Sequence, residues 1–283
     1  MAGTLYLVAT PIGNLEDISF RAIRVLKEAD LIAAEDTRNS IRLLNHFDIH
    51  TPMTSYHENN RYEKARELVA KMQQGTTVAL ITDAGTPAIS DPGEELVRQA
   101  AEAGIEVTSL PGAAACITAL TLSALSTRRF AFEAFLPMDK KERRERLAEL
   151  AGETRTIVLY EAPHRLRRTL EELRQSLGGE RKISLCRELT KKHEEVIRTT
   201  LDGAVSLYEE QEPRGEYVLV VEGRDPAAIR EEKAAAWQTL TMEEHMALYT
   251  DQGIDRKEAM KLVAKDRGIG KREVYAALNA DRP

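Results

Sequence analysis

Thr77-Val78-Ala79-Leu80-Ile81-Thr82 runs directly into Asp83-Ala84-Gly85-Thr86-Pro87-Ala88-Ile89-Ser90-Asp91-Pro92-Gly93. The first part is short, mostly apolar and rich in β-branched residues, the pattern of a strand. The second part is a stiff loop of small residues. Its prolines fix φ and its glycines let the backbone approach another group closely. Asp91-Pro92 then opens a helix, with a capping carboxylate and Pro in the first turn, and Gly104 closes it. Val107 to Leu110 is the next strand. Ligands of open α/β sheets bind outside the carboxyl ends of strands. This stretch therefore predicts both a fold class and a candidate binding loop, which a purely structural connection would not usually stock so heavily.

The same rhythm extends upstream. Leu5 to Ala9 reads as a buried strand, Phe20, Ile23 and Leu26 recur at helical spacing, and Leu31 to Ala34 is a second short run. Arg61 to Gln74 is a helix with Leu68, Val69 and Met72 on one face, followed by Gly75 at the C-terminal cap. Alternating β and α elements predict an α/β domain with a largely parallel sheet over residues 1–112. Downstream, Thr156 to Tyr160 and Lys182 to Cys186 read as strands around a helix from His164 to Leu177. Gly178-Gly179 is a turn, and Glu216 to Val221 is the last strand. These define a second α/β domain, residues 113–224. Residues 225–283 carry no strand signal and read as helical. Within them Glu258 to Lys265, Gly268-Ile269-Gly270 and Lys271 to Leu278 have the layout of a helix-turn-helix.

A length of 283 residues agrees with about two domains. Apolar residues at 42% and charged residues at 30% fit a globular chain. The longest weakly polar run, Ala113 to Leu125, is shorter than the roughly 20 residues of a membrane span. Met1-Ala2-Gly3-Thr4 has no basic leader, so no signal peptide is expected. Cys116 and Cys186 are too few for a disulfide framework, and a reducing cytoplasm is the expected location. His46 and His50 share helical spacing, but Pro52 follows and no acidic third ligand is in place, so no metal site is expected.

Net charge is −6, from 40 basic against 46 acidic residues, so a global nucleic-acid footprint is missing. A local patch remains sufficient. Lys140-Lys141-Glu142-Arg143-Arg144-Glu145-Arg146 is either a solvated helix face or, with Arg128, Arg129, Arg165, Arg167 and Arg168, a phosphate-binding patch. From Arg224 onward there are eleven basic and eleven acidic residues, so the tail either binds RNA or packs on the body.

No G-x-G-x-x-G follows the first strand, and no P-loop, H-E-x-x-H or G-x-S-x-G is present. Candidate chemistry therefore sits in the strand-end segments. Thr10-Pro11-Ile12-Gly13-Asn14-Leu15-Glu16-Asp17 follows the first strand, with an ordinary βα turn as its bland alternative. Pro111-Gly112-Ala113-Ala114-Ala115 leaves room for a flat ring or for tight helix packing. Glu35-Asp36-Thr37-Arg38 ends the second strand, and Tyr56-His57-Glu58-Asn59-Asn60 follows in the next loop. Carboxylates, an arginine and a histidine on one rim suit acid–base or anchoring work. A capped helix start explains Glu35-Asp36-Thr37 equally well.

Gly3-Thr4-Leu5-Tyr6-Leu7-Val8-Ala9-Thr10-Pro11-Ile12-Gly13-Asn14-Leu15-Glu16-Asp17-Ile18 resembles the opening of the tetrapyrrole-methylase-like (class III) methyltransferases. More narrowly, it resembles their bacterial 16S ribosomal RNA cytidine 2′-O-methyltransferase branch. Ala34 to Arg38, Asp83 to Gly93, Arg187-Glu188-Leu189-Thr190-Lys191 and Arg214-Gly215-Glu216-Tyr217-Val218-Leu219-Val220-Val221 resemble that branch in the same order. The likeness spans about residues 3–223 and is most specific at Asp83 to Gly93. It implies S-adenosylmethionine as methyl donor, held between two α/β domains, in a homodimer. It implies 16S rRNA, within the 30S subunit, as substrate. Pro11 and Gly13 would flank the donor, and Asp83, Ala84, Gly85, Ala88 and Ile89 would contact its ribose and methionine parts. Ala114 and Ala115, with Tyr160, would bracket the adenine. Glu35, Asp36 and His57 are the base candidates for a ribose hydroxyl, and Arg38 is placed to hold a phosphate. Methylation of a tetrapyrrole carbon is the alternative within the same family.

Overall fold

Val78, Ala79, Leu80 and Ile81 are all buried, which is why this strand shows no polar alternation. The computed structural model describes residues 2–279, so Met1 of the opening tetrapeptide and residues 280–283 of the tail lie outside the described residues. The first sheet contains β1 (Thr4–Val8), β2 (Leu31–Ala34), β3 (Met53–Ser55), β4 (Val78–Ile81) and β5 (Glu106–Leu110). Their order is β3-β2-β4-β1-β5, with every pairing parallel. The intervening helices are α1 (Phe20–Glu28), α2 (Thr37–His46), α3 (Arg61–Gln73) and α4 (Gly93–Glu102). Strand alternation sorts them onto two faces. Ile32, Ala34, Ala79 and Ile81 pack with Val25 and Leu26 of α1 and Leu44 of α2. Ala33, Val78 and Leu80 pack with Leu68 and Met72 of α3 and Leu96 of α4. Because the strands are parallel, their carboxyl ends share one edge, and the loops after β1, β2, β3, β4 and β5 emerge together there.

The second sheet contains β6 (Phe130–Ala134), β7 (Thr156–Glu161), β8 (Lys182–Arg187), β9 (Glu195–Thr200) and β10 (Tyr217–Val221). Its order is β6-β7-β10-β8-β9, and only the β6–β7 pairing is parallel. Leu159, Leu185 and Leu219 face α6 (Lys140–Ala151), α7 (Pro163–Leu177) and α8 (Leu201–Glu210). Val158, Cys186, Val218 and Val220 face α5 (Ala115–Leu122) on the other side.

Three strands differ from the sequence expectation by being present at all: β3, β6 and β9. Each lies at a sheet edge, where a strand has one neighbour and carries a weaker apolar signal. Phe20 also departs from its expected place on the apolar face of α1. It is 93% exposed, while Leu26 is buried. Helix α4 starts one residue later than expected, with Pro92 at the N-cap, and Asp91 stands just ahead of it. Its carboxylate accepts from Gly93 N at 2.7 Å, and also from Ala88 N at 3.0 Å and Ile89 N at 3.1 Å, which closes the loop on itself.

Residues up to Glu222 form one compact unit and those from Gly223 a second. The second is helical, with α9 (Pro226–Thr239), α10 (Met242–Thr250), α11 (Arg256–Arg267) and α12 (Lys271–Asn279). Gly268 adopts φ +66 and closes α11 as its left-handed C-cap. Met246, Ala259, Val263 and Val274 form its core. His245 is fully buried there between the rings of Trp237 and Tyr249. Its Nδ1 accepts from Arg267 at 3.0 Å, which leaves the Nε2 proton facing Asp266. Burial, reinforced by the Arg267 charge, lowers its pKa and favours this neutral ring.

Candidate active site

The loop after β4 is built under strain. Ala88 and Ser90 hold φ of +65 and +64, a left-handed conformation that costs a residue with Cβ about 1–2 kcal/mol. The Asp91 carboxylate offsets this by binding the two amides inside the distortion. Tyr56, just beyond the end of β3, donates its O–H to Pro92 O at 2.8 Å and pins the far end of the loop. Its near end forms a bridge with the loop after β1, where Thr10 N donates to Gly85 O at 2.9 Å and Gly85 N to Thr10 O at 3.1 Å. Gly85 has φ +87, so a side chain there would be strained although space exists. Strain held in place by this many fixed contacts is characteristic of ligand-binding segments.

Above this loop lies a cavity of about 610 Å³, within the usual range for small-molecule sites. Asp83, Ala84, Gly85, Ile89, Ala114, Ala115 and Tyr160 all line it, as does Glu35. Pro11, Gly13 and Ala88 do not. Pro11 is buried, and a Cβ on Gly13 would sit 2.4 Å from Lys191 Cγ. Gly13 thus permits close approach to the turn after β8 and does not itself form the cavity wall. Gly215 serves the same turn, because a Cβ there would meet Glu188 Cγ at 2.5 Å. Lys191 Nζ binds Glu188 at 2.9 Å and Glu216 at 2.7 Å. Segments far apart in the chain, around Gly13, Glu188 and Gly215, therefore meet in one place.

Glu35 is the titratable group with a shifted carboxyl on the wall. Burial first, then the charges of Asp83 and Asp91, raise its pKa above the ordinary range. Asp36 behaves oppositely. Hydrogen bonds from the Arg38 guanidinium and amide hold it at about 2. Asp36 also caps α2. Arg38 is 89% exposed and clasped by Asp36 at 2.8 Å. Neither Asp36, Arg38 nor His57 lines the cavity. The His57 N–H donates to Asn60 Oδ1, while its ring Nδ1 is buried without a hydrogen-bond partner. The rim constellation expected from the sequence thus separates into Glu35 on the wall and a capping pair behind it.

The opposite wall comes from the second sheet. The Cys116 backbone N–H, at the start of α5, donates to Tyr160 Oη at 3.3 Å, where the helix has no side-chain cap of its own. The Tyr160 ring packs edge-on to Phe132 at 5.0 Å and lies 5.7 Å from Phe135. Sequence reading missed Phe135, Glu161 and Glu216, all on this wall. Phe135 and Glu161 adjoin strand ends of the second sheet, a signal that marked the first sheet but was not applied to the second. The wall carries Glu35, Asp83, Asp91, Glu161 and Glu216 but neither lysine nor arginine among its described residues. Lys191 and Arg165 pair with Glu216 and Glu161 from behind, and loop amides hold Asp91, so Glu35 and Asp83 are the carboxylates that suit a cationic ligand.

The basic run resolves into different environments. Arg143 is buried against Glu172 and Thr169, Arg165 and Arg167 donate to backbone carbonyls, and Arg168 binds Glu172. Only Arg143 of the basic run is taken into the fold, while Arg128, Arg129, Lys141 and Arg146 are exposed with Arg167 and Arg168. Lys140 and Arg144 stay exposed.

A parallel five-stranded sheet joined to a mixed one, with a strained loop and an acidic cavity, is the architecture of a methyltransferase of tetrapyrrole-methylase type. Residues 4–205 match the family Tetrapyrrole (Corrin/Porphyrin) Methylases, and the chain belongs to it. Ribosomal RNA small subunit methyltransferase I of Halalkalibacterium halodurans is 51% identical, covering 96% of this chain and 93% of that one. Its namesake from Bacillus subtilis is 46% identical over 97% and 94%. Among solved structures, uroporphyrin-III C-methyltransferase from Thermus thermophilus, complexed with S-adenosyl homocysteine, matches with a TM-score of 0.56 at 20% identity, covering 78% of this chain and 97% of that one. A diphthine synthase matches with a TM-score of 0.60 at 16% identity, over 78% and 90%.

Proposed function

We propose that this chain transfers a methyl group from S-adenosylmethionine to the ribose 2′-hydroxyl of a cytidine in the decoding region of 16S rRNA. It acts on the 30S subunit in the cytoplasm as a homodimer, with residues 1–112 and 113–224 as its two α/β halves and 225–283 as a helical appendage. The observation that carries this reading is the acidic, aromatic-walled cavity over the strained loop. When bound, the donor supplies an activated methyl group on a positively charged sulfonium. Carboxylates around the cavity suit that charge, and the ring of Tyr160 suits a flat base. Asp83 to Ile89 offer backbone groups to the donor, Ala114 and Ala115 leave it room, and Pro11 and Gly13 shape the floor from behind.

Glu35 is the base we favour. A carboxylate whose pKa is raised by burial accepts a hydroxyl proton more readily than one held at about 2 by an arginine, which sets Asp36 aside. The 2′-hydroxyl loses its proton to Glu35 as its oxygen takes the methyl, and a neutral thioether leaves. Much of the rate comes from holding the two reactants at near-attack distance. Identities of 51% and 46% to proteins named Ribosomal RNA small subunit methyltransferase I favour the RNA reading over a tetrapyrrole carbon.

The test uses tritiated S-adenosylmethionine and 30S subunits from a strain lacking this gene. We expect label in 16S rRNA as an alkali-resistant 2′-O-methylcytidine. Donor binding without any rRNA label would shift the acceptor to a small molecule.

A further inference from the structure

We propose that the ridge from Phe135 to Arg144 seats the acceptor strand. Phe135 stacks on the nucleobase presented at the cavity, and Lys140 and Arg144 hold the adjoining phosphates. The proposal rests on the methyl-transfer reading above.

The first observation is a distortion. The register of β6 against β7 shifts between Phe132 and Ala134, and Ala134 adopts φ +51. A bulge of this kind re-aims the side chains beyond it, and bulges gather beside active sites. Phe135 is the next residue. It lines the cavity and yet stays 49% exposed, with its ring tilted 59° against Tyr160. Met138, three residues on, is 75% exposed. An aromatic ring kept half in solvent at a cavity mouth, at the cost of a left-handed alanine, calls for a ligand on its free face.

The second observation is charge. Asp139 caps α6, and Lys140 and Arg144 project from its first turns. They line a separate hollow of about 420 Å³, together with Arg143 and Arg168. Those two arginines are engaged by Glu172. No ion pair joins Lys140 or Arg144 to a carboxylate among the described residues. The cavity is thus acidic within, while the ridge leading from its mouth is aromatic and then basic. Single-stranded RNA is bound by this combination, with a splayed base on an aromatic face and the backbone along cations. Tyr160 is more enclosed and its hydroxyl is committed to Cys116 N, which suits it to the donor's ring and leaves Phe135 for the acceptor.

The experiment uses the full-length protein, unmethylated 30S subunits and tritiated donor. Base–aromatic stacking is worth about 1–3 kcal/mol by alanine substitution, so Phe135→Ala should raise the KM for subunits by about tenfold or more. The rise in subunit KM should exceed any change in donor Kd, and Phe135→Trp should restore the KM. A double Lys140→Glu, Arg144→Glu variant should raise the KM and lower the salt slope of binding by about two, roughly one per phosphate contact. Weakened donor binding with an unchanged subunit KM in Phe135→Ala would assign the ring to the donor and overturn the proposal. An unchanged KM in both variants would overturn it equally. Wild-type protein that binds donor but labels no rRNA would instead remove the methyl-transfer reading beneath it, a result visible before any variant is made.

Discussion

Glu35 shows how burial makes a reactive group at a local cost. Its native pKa is raised by burial and by the Asp83 and Asp91 charges. A raised native value means the protonated form is favoured in the folded protein. That contribution to stability is fully present below the unfolded pKa and is lost as pH rises through the native one. Above its native pKa the ionised Glu35 therefore weakens the fold, and Glu35→Gln should raise the thermal midpoint there but not in acid. The same variant should lower kcat by about a hundredfold, the usual scale for a general base, and erase the fall in rate on acidification. Melting curves at two pH values and a kcat–pH profile check both halves. A wild-type rate and acid limb in Glu35→Gln would remove it as the base. The sequence marked Glu35, Asp36 and His57 alike, because residue type and loop position are shared. What separates them is depth and partner, and only the fold assigns those: Arg38 neutralises Asp36, while Glu35 lies on the cavity wall.

Among the elements, the loop from Asp83 to Gly93 depends on one side chain. The Asp91 carboxylate accepts from three backbone amides, and a hydrogen bond to a charged group is worth about 1.5–3 kcal/mol. Without it, Ala88 and Ser90 have little reason to remain left-handed. Asp91→Ala should weaken donor binding by more than about tenfold, with Asp91→Asn intermediate, as titration calorimetry would show. An unaltered Kd in Asp91→Ala would mean that the loop's shape does not serve the donor. This loop was legible in advance because its prolines, glycines and N-cap are local signals. The strands β3, β6 and β9 were not. Met53–Ser55 is only partly buried and follows Pro52, and Glu195–Thr200 follows a run of charges. Interior strands such as β4 and β10 are buried at every residue and announce themselves as apolar runs.

Across the whole molecule, a net charge of −6 coexists with a local basic ridge, so composition alone understates affinity for an anionic partner. The alternation of β and α elements was readable throughout, but strand direction was not. Nothing in the run Thr156 to Tyr160 reveals that it pairs antiparallel with a strand ending at Val221. The strand order also dictates a sequence of events in time. β1 is synthesised before both its neighbours, β4 and β5, which lie more than seventy positions later, with Leu5 opposite Val78 and Val107. β8 and β9, by contrast, meet across a short connection, Arg187 opposite Glu195. Closing distant segments is slower than closing near ones. Pulse-labelled amide exchange during refolding should therefore find Ile183 to Ile197 protected before Leu5 to Leu7, and the reverse order would sink the idea. Strand β1 is made before its partners and secured late, waiting unpaired until they have been synthesised.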